Sequence, residues 1–599
     1  MKFSEMPYSR PDLEAMKANL TACTEAFLAA ESAQEQIAQY DRVTDLSVEF
    51  NTMGSLANAR HTIDTRDEFY DAESTFFDES WPQLSVYFQR LNEAMLDSKF
   101  RPELEAHYGS LLFLKLEISR RSFKPELVEL MQEENRLTSR YQKLYANMTV
   151  EFDGKTMPMP MLGKYKVSAD RAVRRAAYEA EGKVFDANRA ELDEIYDKLV
   201  HNRNAQGRML GYPNFIQLGY DRLGRNCYGQ KELAAFRDQI ANDLVPIIAE
   251  VKEAQRKRIG VDRLYIYDDK FRFPDGNPAP EGTAEEILAA GRRMYEELSP
   301  ETKEFVDFLY DNELLDVLSR EGKAPGGYCT MFEKYKAPFI FSNFNGTAGD
   351  VDVLTHEAGH AFAFYRAMNS DIYPDLREPT IEACECHSMS MEFLTQDYHK
   401  YFFGAQTAKY ELAHCEDSLD FIPYGCMVDE FQHLMYENED LTPDERHGVW
   451  EKLEKKYRPW LSMDGLPFYG RYAHWQWKPH IYLNPLYCCT ILIIVWQVRS
   501  RSRSGRSLCR TARQRGRNIW PLSTSREQRR SLICAKASAC VYRTRTAASA
   551  RSAPVSATGS RRMPRWRPEC FCAVPLAVDD RKRDFRQVVS GCAYLVNIS

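Results

Sequence analysis

Two histidines four residues apart restrict what the middle of this 599-residue chain can fold into. His356 and His360 reach the same side of the backbone only if the segment between them is helical. Residues 347–350 can cap such a helix, and the apolar pattern predicts that it extends over residues 351–368. In that helix Glu357 lies beside the two imidazoles. Two imidazoles and a neighbouring carboxylate are the groups with which helices bind zinc and accept a proton from water.

The same spacing also occurs on solvated helix faces, so the motif alone leaves two interpretations. Apolar side chains surround the histidines along the helix: Leu354, Ala358, Ala361 and Phe362. A solvated face would be more polar, whereas a helix that lines a buried active site needs apolar surface. The flanking residues therefore favour a metal site.

A metal site of this kind needs a third protein ligand on a neighbouring element. Three glutamates lie downstream, on or beside a second helix predicted over residues 380–399: Glu378, Glu382 and Glu385. Spacing alone does not choose among them. His387 is expected to be a packed histidine. Cys384 and Cys386 are expected to be core thiols, because residues two apart point to opposite sides of a helix.

The remaining pattern predicts a mainly α fold. From residue 11 to about residue 200 glycine and proline are sparse, and Ala, Glu, Leu and Lys recur in long runs. Two short runs with strand character precede the histidine helix, at 326–330 and 338–344, and predict a small β-sheet beside it. We expect an N-terminal helical domain over residues 1–200 and a catalytic domain over residues 201–487.

Charge divides the chain at residue 488. Residues 488–599 carry 23 Lys and Arg against 5 Asp and Glu, so the net charge of −8 combines a tail of +18 with a body of −26. An acidic body disfavours nucleic acid and anionic membranes as partners. The body has seven irregularly spaced cysteines, no apolar run long enough to span a bilayer, and a start that lacks the apolar core of a secretory signal. We therefore expect a cytoplasmic protein with reduced thiols, whose oligomeric state is left open.

Several separated motifs resemble one family. They are residues 355–362 around the histidines, the Glu-x-x-Ser-Met run at 385–389, and the His-Ile-Tyr-x-x-Pro run at 480–485. The segments at 6–11 and 344–350 add to them. Together they are similar to the oligoendopeptidase F branch of the thimet oligopeptidase-like zinc metallopeptidases. The resemblance covers residues 1 to about 487.

The resemblance implies a zinc-dependent endopeptidase that hydrolyses internal bonds of short unfolded peptides. It implies an elongated, zincin-like helical fold with a deep internal channel. It selects Glu385 as the third ligand of one zinc ion per chain, beside His356 and His360. Glu357 is then the base that deprotonates the attacking water, and the strand at 339–344 is the one that binds substrate backbone.

The resemblance further implies that a phenol or imidazole from the C-terminal part of the body stabilises the oxyanion. The matching candidates are His480, Tyr482 and Tyr487. Without the resemblance, His480 and Tyr482 would be expected to pack among the neighbouring tryptophans, because aromatic side chains are common in cores.

The tail at 488–599 is expected to be a frame-shifted translation. It contains 21 Arg and 2 Lys and eight of the fifteen cysteines, without sustained helical or strand periodicity. The family-like pattern stops after Tyr487, where a motif close to Tyr-x-Asp-Tyr-x-Leu-Ala would follow. Permitted codons from Cys489 onward spell a similar motif when they are read in another frame.

Other interpretations of the tail stay open. It could be a genuine basic domain, or an RNA-binding segment whose arginines alternate with Ser and Gly: Arg499, Arg501, Arg503 and Arg506. If the frame is shifted, the alternative function is a catalytically impaired, truncated product that binds zinc or peptides. Sequencing the gene tests this. An intact second frame that encodes the tyrosine motif and further helices is the expected result, and its absence would contradict the frame shift.

Overall fold

Long helices form most of the N-terminal part of the chain. The computed structural model describes residues 1–226 and 228–487. Side chains of Asp12, Ser32 and Asp67 cap three of the helices by accepting hydrogen bonds from first-turn N–H groups. The helices of this part are α1 (Leu13–Ala29), α2 (Ala33–Ile63), α3 (Glu68–Leu96), α4 (Arg101–Tyr108), α5 (Ser110–Ser122), α6 (Val128–Ala146), α7 (Gly163–Lys166), α8 (Arg171–Ala187), α9 (Arg189–Met209) and α10 (Ile216–Arg222).

Helices continue through the second half, so the prediction of a mainly α fold is confirmed. They are α11 (Gln230–Gln239), α12 (Val245–Ile259), α13 (Ala284–Leu298), α14 (Pro300–Asp311), α15 (Gly349–Met368), α16 (Ile381–Leu394), α17 (Lys400–Phe403), α18 (Thr407–Glu437), α19 (Pro443–Tyr457) and α20 (Pro479–Leu483). The helix predicted over 351–368 is α15. The one predicted over 380–399 is shorter: α16 ends at Leu394, and a single 3₁₀ turn follows at Gln396–Tyr398.

Two small sheets interrupt the helices. Strands β1 (Thr149–Phe152) and β2 (Lys155–Pro158) form an antiparallel hairpin. Strands β3 (Leu315–Leu318), β4 (Tyr328–Phe332) and β5 (Ala337–Phe344) form the second sheet, in the order β3-β5-β4. β3 runs parallel to β5, and β4 runs antiparallel to it.

This strand order corrects one prediction. The segment at 339–344 was expected to bind substrate backbone, but it belongs to β5, the central strand, which is paired on both sides. Its backbone groups are therefore already used in the sheet. Among the described strands, β3 and β4 each pair only with β5, so each leaves one edge without a neighbouring strand.

The close contact of α15 with α16 positions the site. A Cβ atom at Gly359 would lie 2.6 Å from the Cα of Ser388, so only glycine allows this separation of the two helices. The apolar residues that flank the histidines are buried here: Leu354, Ala358, Ala361 and Phe362. They share an apolar cluster with Met53 and Leu56 of α2 and with Phe339 and Phe341 of β5. The histidine helix is therefore a core helix, not a solvated one.

Three further predictions concern the domain boundary, the tail and membrane-spanning helices. The domain boundary at residue 200 stays a prediction, and α9 runs across that position without a break. The predictions for residues 488–599 lie outside the described residues. Among the described residues, no helix combines the length and the apolar content needed to cross a membrane.

Candidate metal centre

α15 and α16 bring two imidazoles and one carboxylate together. His356 and His360 lie one helical turn apart, with their ring centroids separated by 5.1 Å. Glu385 projects from α16, and its Oε2 lies 3.1 Å from His356 Nε2 and 3.9 Å from His360 Nε2. One ligand atom from each residue lies within 4.8 Å of the others. In the part of the chain that the structure describes, no other group of three or more potential ligands meets this condition.

The donor set fits zinc. Two atoms that each lie about 2.0–2.2 Å from a tetrahedral zinc ion are separated by about 3–4 Å, which matches the two distances from Glu385. Catalytic zinc sites use three protein ligands and keep a fourth position open. Beside these groups, the buried Oε2 of Glu357 accepts no hydrogen bond from any described residue. A buried carboxylate oxygen without a protein donor is suited to accept a hydrogen bond from a water molecule.

Burial and charge set the protonation of the ligand residues. Burial, together with the charge of His356, lowers the pKa of His360 to about 4, so this imidazole is neutral as a metal ligand must be. Burial also acts to lower the pKa of His356, but Glu385 and Glu392 outweigh it and the pKa lies well above its usual value. A metal ion that binds here would therefore displace a proton from His356. We expect zinc affinity to fall as the pH is lowered.

Two residues that the sequence analysis missed support His356. Glu392 lies seven residues after Glu385, two turns along α16, and its Oε1 is 2.7 Å from His356 Nδ1. Its Oε2 is 2.7 Å from Nε2 of His414 on α18. A carboxylate on the far nitrogen of a ligand histidine fixes the ring orientation and its tautomer. The seven-residue spacing from Glu385 is the signal that could have identified Glu392, but no local pattern identifies His414.

The three predicted oxyanion residues are not all at the centre. The Tyr487 hydroxyl donates to Glu385 Oε1, so this residue reaches the site. The His480 ring lies 5.9 Å from the Tyr487 ring. Tyr482 is fully buried elsewhere: it stacks on Tyr141 at 4.0 Å, and its hydroxyl donates to the Leu192 carbonyl at 3.3 Å. The structure thus brings Tyr487 to Glu385, places His480 beside Tyr487, and places Tyr482 in an aromatic cluster.

The other glutamates have different surroundings. Glu382 is buried and accepts hydrogen bonds from Arg225 at 2.7 Å and from the Tyr228 hydroxyl at 2.8 Å. Glu378 is exposed. His387 is half-buried, and burial lowers its pKa to about 4. Cys386 is buried and Cys384 is half-buried, so only Cys386 lies in the core as expected of both thiols.

A cavity of about 630 Å³ lies beside β4. Its walls come from β4, from α2 and α3, and from the segment before α16, and they include Cys329, Thr330, Asn51, Phe77, Trp81 and Glu378. β4 connects this cavity to the candidate centre, because a Cβ atom at Gly327, directly before the strand, would lie 3.6 Å from Oε1 of Glu357. β4 therefore runs between this cavity and Glu357.

Comparison with known proteins gives a family. Residues 3–123 match the Peptidase M3 N-terminal domain, and residues 164–489 match Peptidase family M3. The chromosomal oligoendopeptidase F of Lactococcus lactis subsp. cremoris is 27% identical over 344 residues, which are 54% of this chain and 53% of the relative. The chain thus matches about half of the length of this curated relative.

Solved structures that resemble this chain point to the same family. PZ peptidase A with an inhibitor is 44% identical at a TM-score of 0.83, over 84% of this chain and 90% of that one. A protein from Bacillus anthracis str. Ames assigned as an oligoendopeptidase F is 42% identical at a TM-score of 0.78, over 85% of this chain and 89% of that one. By its sequence and by its helical fold, the chain belongs to peptidase family M3, in the oligoendopeptidase F branch.

Proposed function

We propose that the chain is a zinc-dependent metalloendopeptidase that hydrolyses internal peptide bonds of short oligopeptides in the cytoplasm. The observation that carries the proposal is the convergence of His356, His360 and Glu385 beside Glu357, whose Oε2 has no hydrogen-bond partner among residues 1–226 and 228–487. This set provides three ligands and a base in one place. His356, His360 and Glu385 would hold the ion. When bound, zinc supplies Lewis-acid polarisation of the scissile carbonyl and of water.

Glu357 is the proposed general base and acid. Its side chain is buried, and burial raises its pKa to about 7, with the charge of His356 acting in the opposite direction. A base is most effective when its pKa lies near the working pH, because it is then both available and able to return the proton. Glu357 accepts a proton from the attacking water at a carboxylate oxygen. It then donates that proton to the nitrogen of the leaving amine.

The outer edge of β4 is the proposed binding site for substrate backbone. Extended peptides add to sheet edges through main-chain hydrogen bonds, which do not depend on the peptide's side chains. The edge of β4 faces the cavity at Cys329 and Thr330, and it leads past Gly327 to Glu357. The peptide must be extended to pair along β4. Internal bonds of flexible peptides therefore reach Glu357, whereas bonds within folded helices and sheets do not.

Size selectivity tests this function. Quenched peptides of about five to twenty residues should be cut internally, and native folded proteins should be spared, because only a flexible segment can extend along the edge of β4. The measurement is fluorescence release from peptides of graded length, with a native globular protein and its reduced, unfolded form as paired substrates. Rapid digestion of the native protein would contradict the proposal.

The impaired-product alternative makes a different prediction in the same assay. The candidate ligands and Glu357 all precede residue 488, where the composition changes, so a product with an aberrant tail would keep the metal site. Zinc binding without any peptide turnover would favour this alternative. The cytoplasmic location is proposed from the acidic charge of the body and the irregular spacing of its seven cysteines, and cell fractionation measures it.

A further inference from the structure

We infer that Gln432 and Arg225 are positioning residues, which hold the backbone of Leu486 and thereby direct the Tyr487 hydroxyl onto Glu385. The inference rests on the zinc site proposed above. It concerns residues that are distant in sequence from both metal-ligand segments.

Leu486 has a backbone conformation that few residues with a side chain adopt. Its φ is +61°, in the left-handed region, and its side chain is fully buried. For a leucine this region is disfavoured by contacts of the Cβ atom with the backbone. Such a conformation persists only where the surroundings hold it, and it recurs at functional sites.

Both backbone polar groups of Leu486 are held by buried side chains. Its N–H donates to Oε1 of Gln432, on α18, at 2.7 Å. Its carbonyl accepts from Nη2 of Arg225 at 2.8 Å. Its side chain packs on Gly219, where a Cβ atom would lie 2.5 Å from Leu486 Cδ1. Three separate contacts thus fix the position and the direction of the chain at Leu486.

Tyr487 follows directly, so this fixed backbone determines where its ring lies. The hydroxyl donates to Oε1 of Glu385, whereas Oε2 of the same carboxylate faces His356 and His360. A hydrogen bond on one oxygen orients the other toward the ligand position. Arg225 also binds Glu382, one turn before Glu385 on α16, at 2.7 Å. The guanidinium therefore ties Leu486 to the helix that carries the third ligand.

A double-mutant cycle tests whether Gln432 acts through Tyr487. The readout is the zinc dissociation constant, measured on metal-free protein by competition with a chromophoric chelator. Tyr487→Phe should weaken zinc binding by about tenfold or more, as loss of an outer hydrogen bond on a ligand does. Gln432→Met should weaken it by a similar factor. In the Tyr487→Phe background, Gln432→Met should change it by less than about twofold, because the hydroxyl it positions is already gone.

A matched control separates positioning from general stability. Gln255 is equally buried, and its amide donates to the carbonyls of Asp268, Asp269 and Phe271. Gln255→Met should lower the melting temperature without changing zinc affinity. If Gln432→Met does not fold, Arg225→Lys takes its place in the cycle, because lysine keeps the charge beside Glu382 but lacks the guanidinium fork.

Two outcomes overturn the inference. If the losses from Gln432→Met and Tyr487→Phe multiply in the double variant, Gln432 does not act through the hydroxyl, although the zinc site stands. If the unsubstituted protein binds no zinc, the proposed function fails and the inference fails with it. The expected result is that the double variant loses about as much zinc affinity as either single variant, while Gln255→Met leaves zinc affinity unchanged.

Discussion

Glu357→Gln is expected to lower kcat for a quenched oligopeptide by about 10²–10⁴-fold, the usual contribution of a positioned base. Glutamine has nearly the same shape as glutamate but cannot accept the proton of the attacking water. The buried site makes replacement of this base by solvent difficult, because Glu357 is only 7% exposed. The measurement is kcat at saturating peptide, together with zinc content after dialysis.

Zinc content provides the control for this variant. Glu357 is not among the three residues whose ligand atoms converge, so Glu357→Gln should retain about one zinc per chain, as catalytic sites of this type do. If the variant keeps zinc and also keeps more than about a tenth of the unsubstituted kcat, Glu357 is not the base. If it loses zinc, the set of ligands is wrong.

Loss of any one of the three converging side chains should remove most of the bound zinc. His356→Ala, His360→Ala and Glu385→Ala each leave two protein ligands, and two ligands do not hold zinc against dialysis as three do. Peptide turnover should fall with the zinc content. The measurement is zinc per chain by atomic emission after dialysis, with circular dichroism to verify that each variant is folded.

Variants of three further glutamates provide comparisons for this result. Glu392→Gln weakens the support of His356 without removing a ligand, so zinc affinity should fall by only about 10–100-fold. Glu378 is exposed, and Glu378→Gln should leave zinc content unchanged. If Glu382→Gln lost zinc while Glu385→Ala kept it, the third ligand would be Glu382, and the ion pair of Glu382 with Arg225 would have to be explained differently.

The histidine helix could be predicted because its evidence is local. The spacing of His356 and His360 and the apolar residues around them require only a helix, and α15 forms over Gly349–Met368. The choice of Glu385 was not local. Spacing left three glutamates open, and the choice of Glu385 came from the family resemblance; in the structure, the contact of α15 with α16 at Gly359 places the Glu385 carboxylate beside the histidines.

The central position of β5 in its sheet could not be predicted for a similar reason. The sequence indicated strand character at 326–330 and 338–344, but the order of strands also depends on β3, which has only four residues and was not predicted. β3 follows α14 and pairs parallel to β5 on the side away from β4. A central strand is defined by two neighbours, and one of them was missing from the prediction.

The supporting residues of the site come from distant parts of the chain. His414 on α18 is hydrogen-bonded to Glu392. Arg225 is hydrogen-bonded to Glu382, at a separation of 157 residues in the sequence. Buried polar groups need partners, but tertiary packing decides which partner each finds. Local periodicity carries no information about such pairs.

An edge strand such as β4 is also a hazard for a protein at high concentration. Free N–H and C=O groups in a row can pair with the edge of another molecule and start aggregation. In this structure the residues of α2 and the segment before α16 line the same cavity as Cys329 and Thr330 of β4. Side chains of these neighbouring elements therefore stand beside the edge that a second copy would have to approach, which disfavours edge-to-edge pairing.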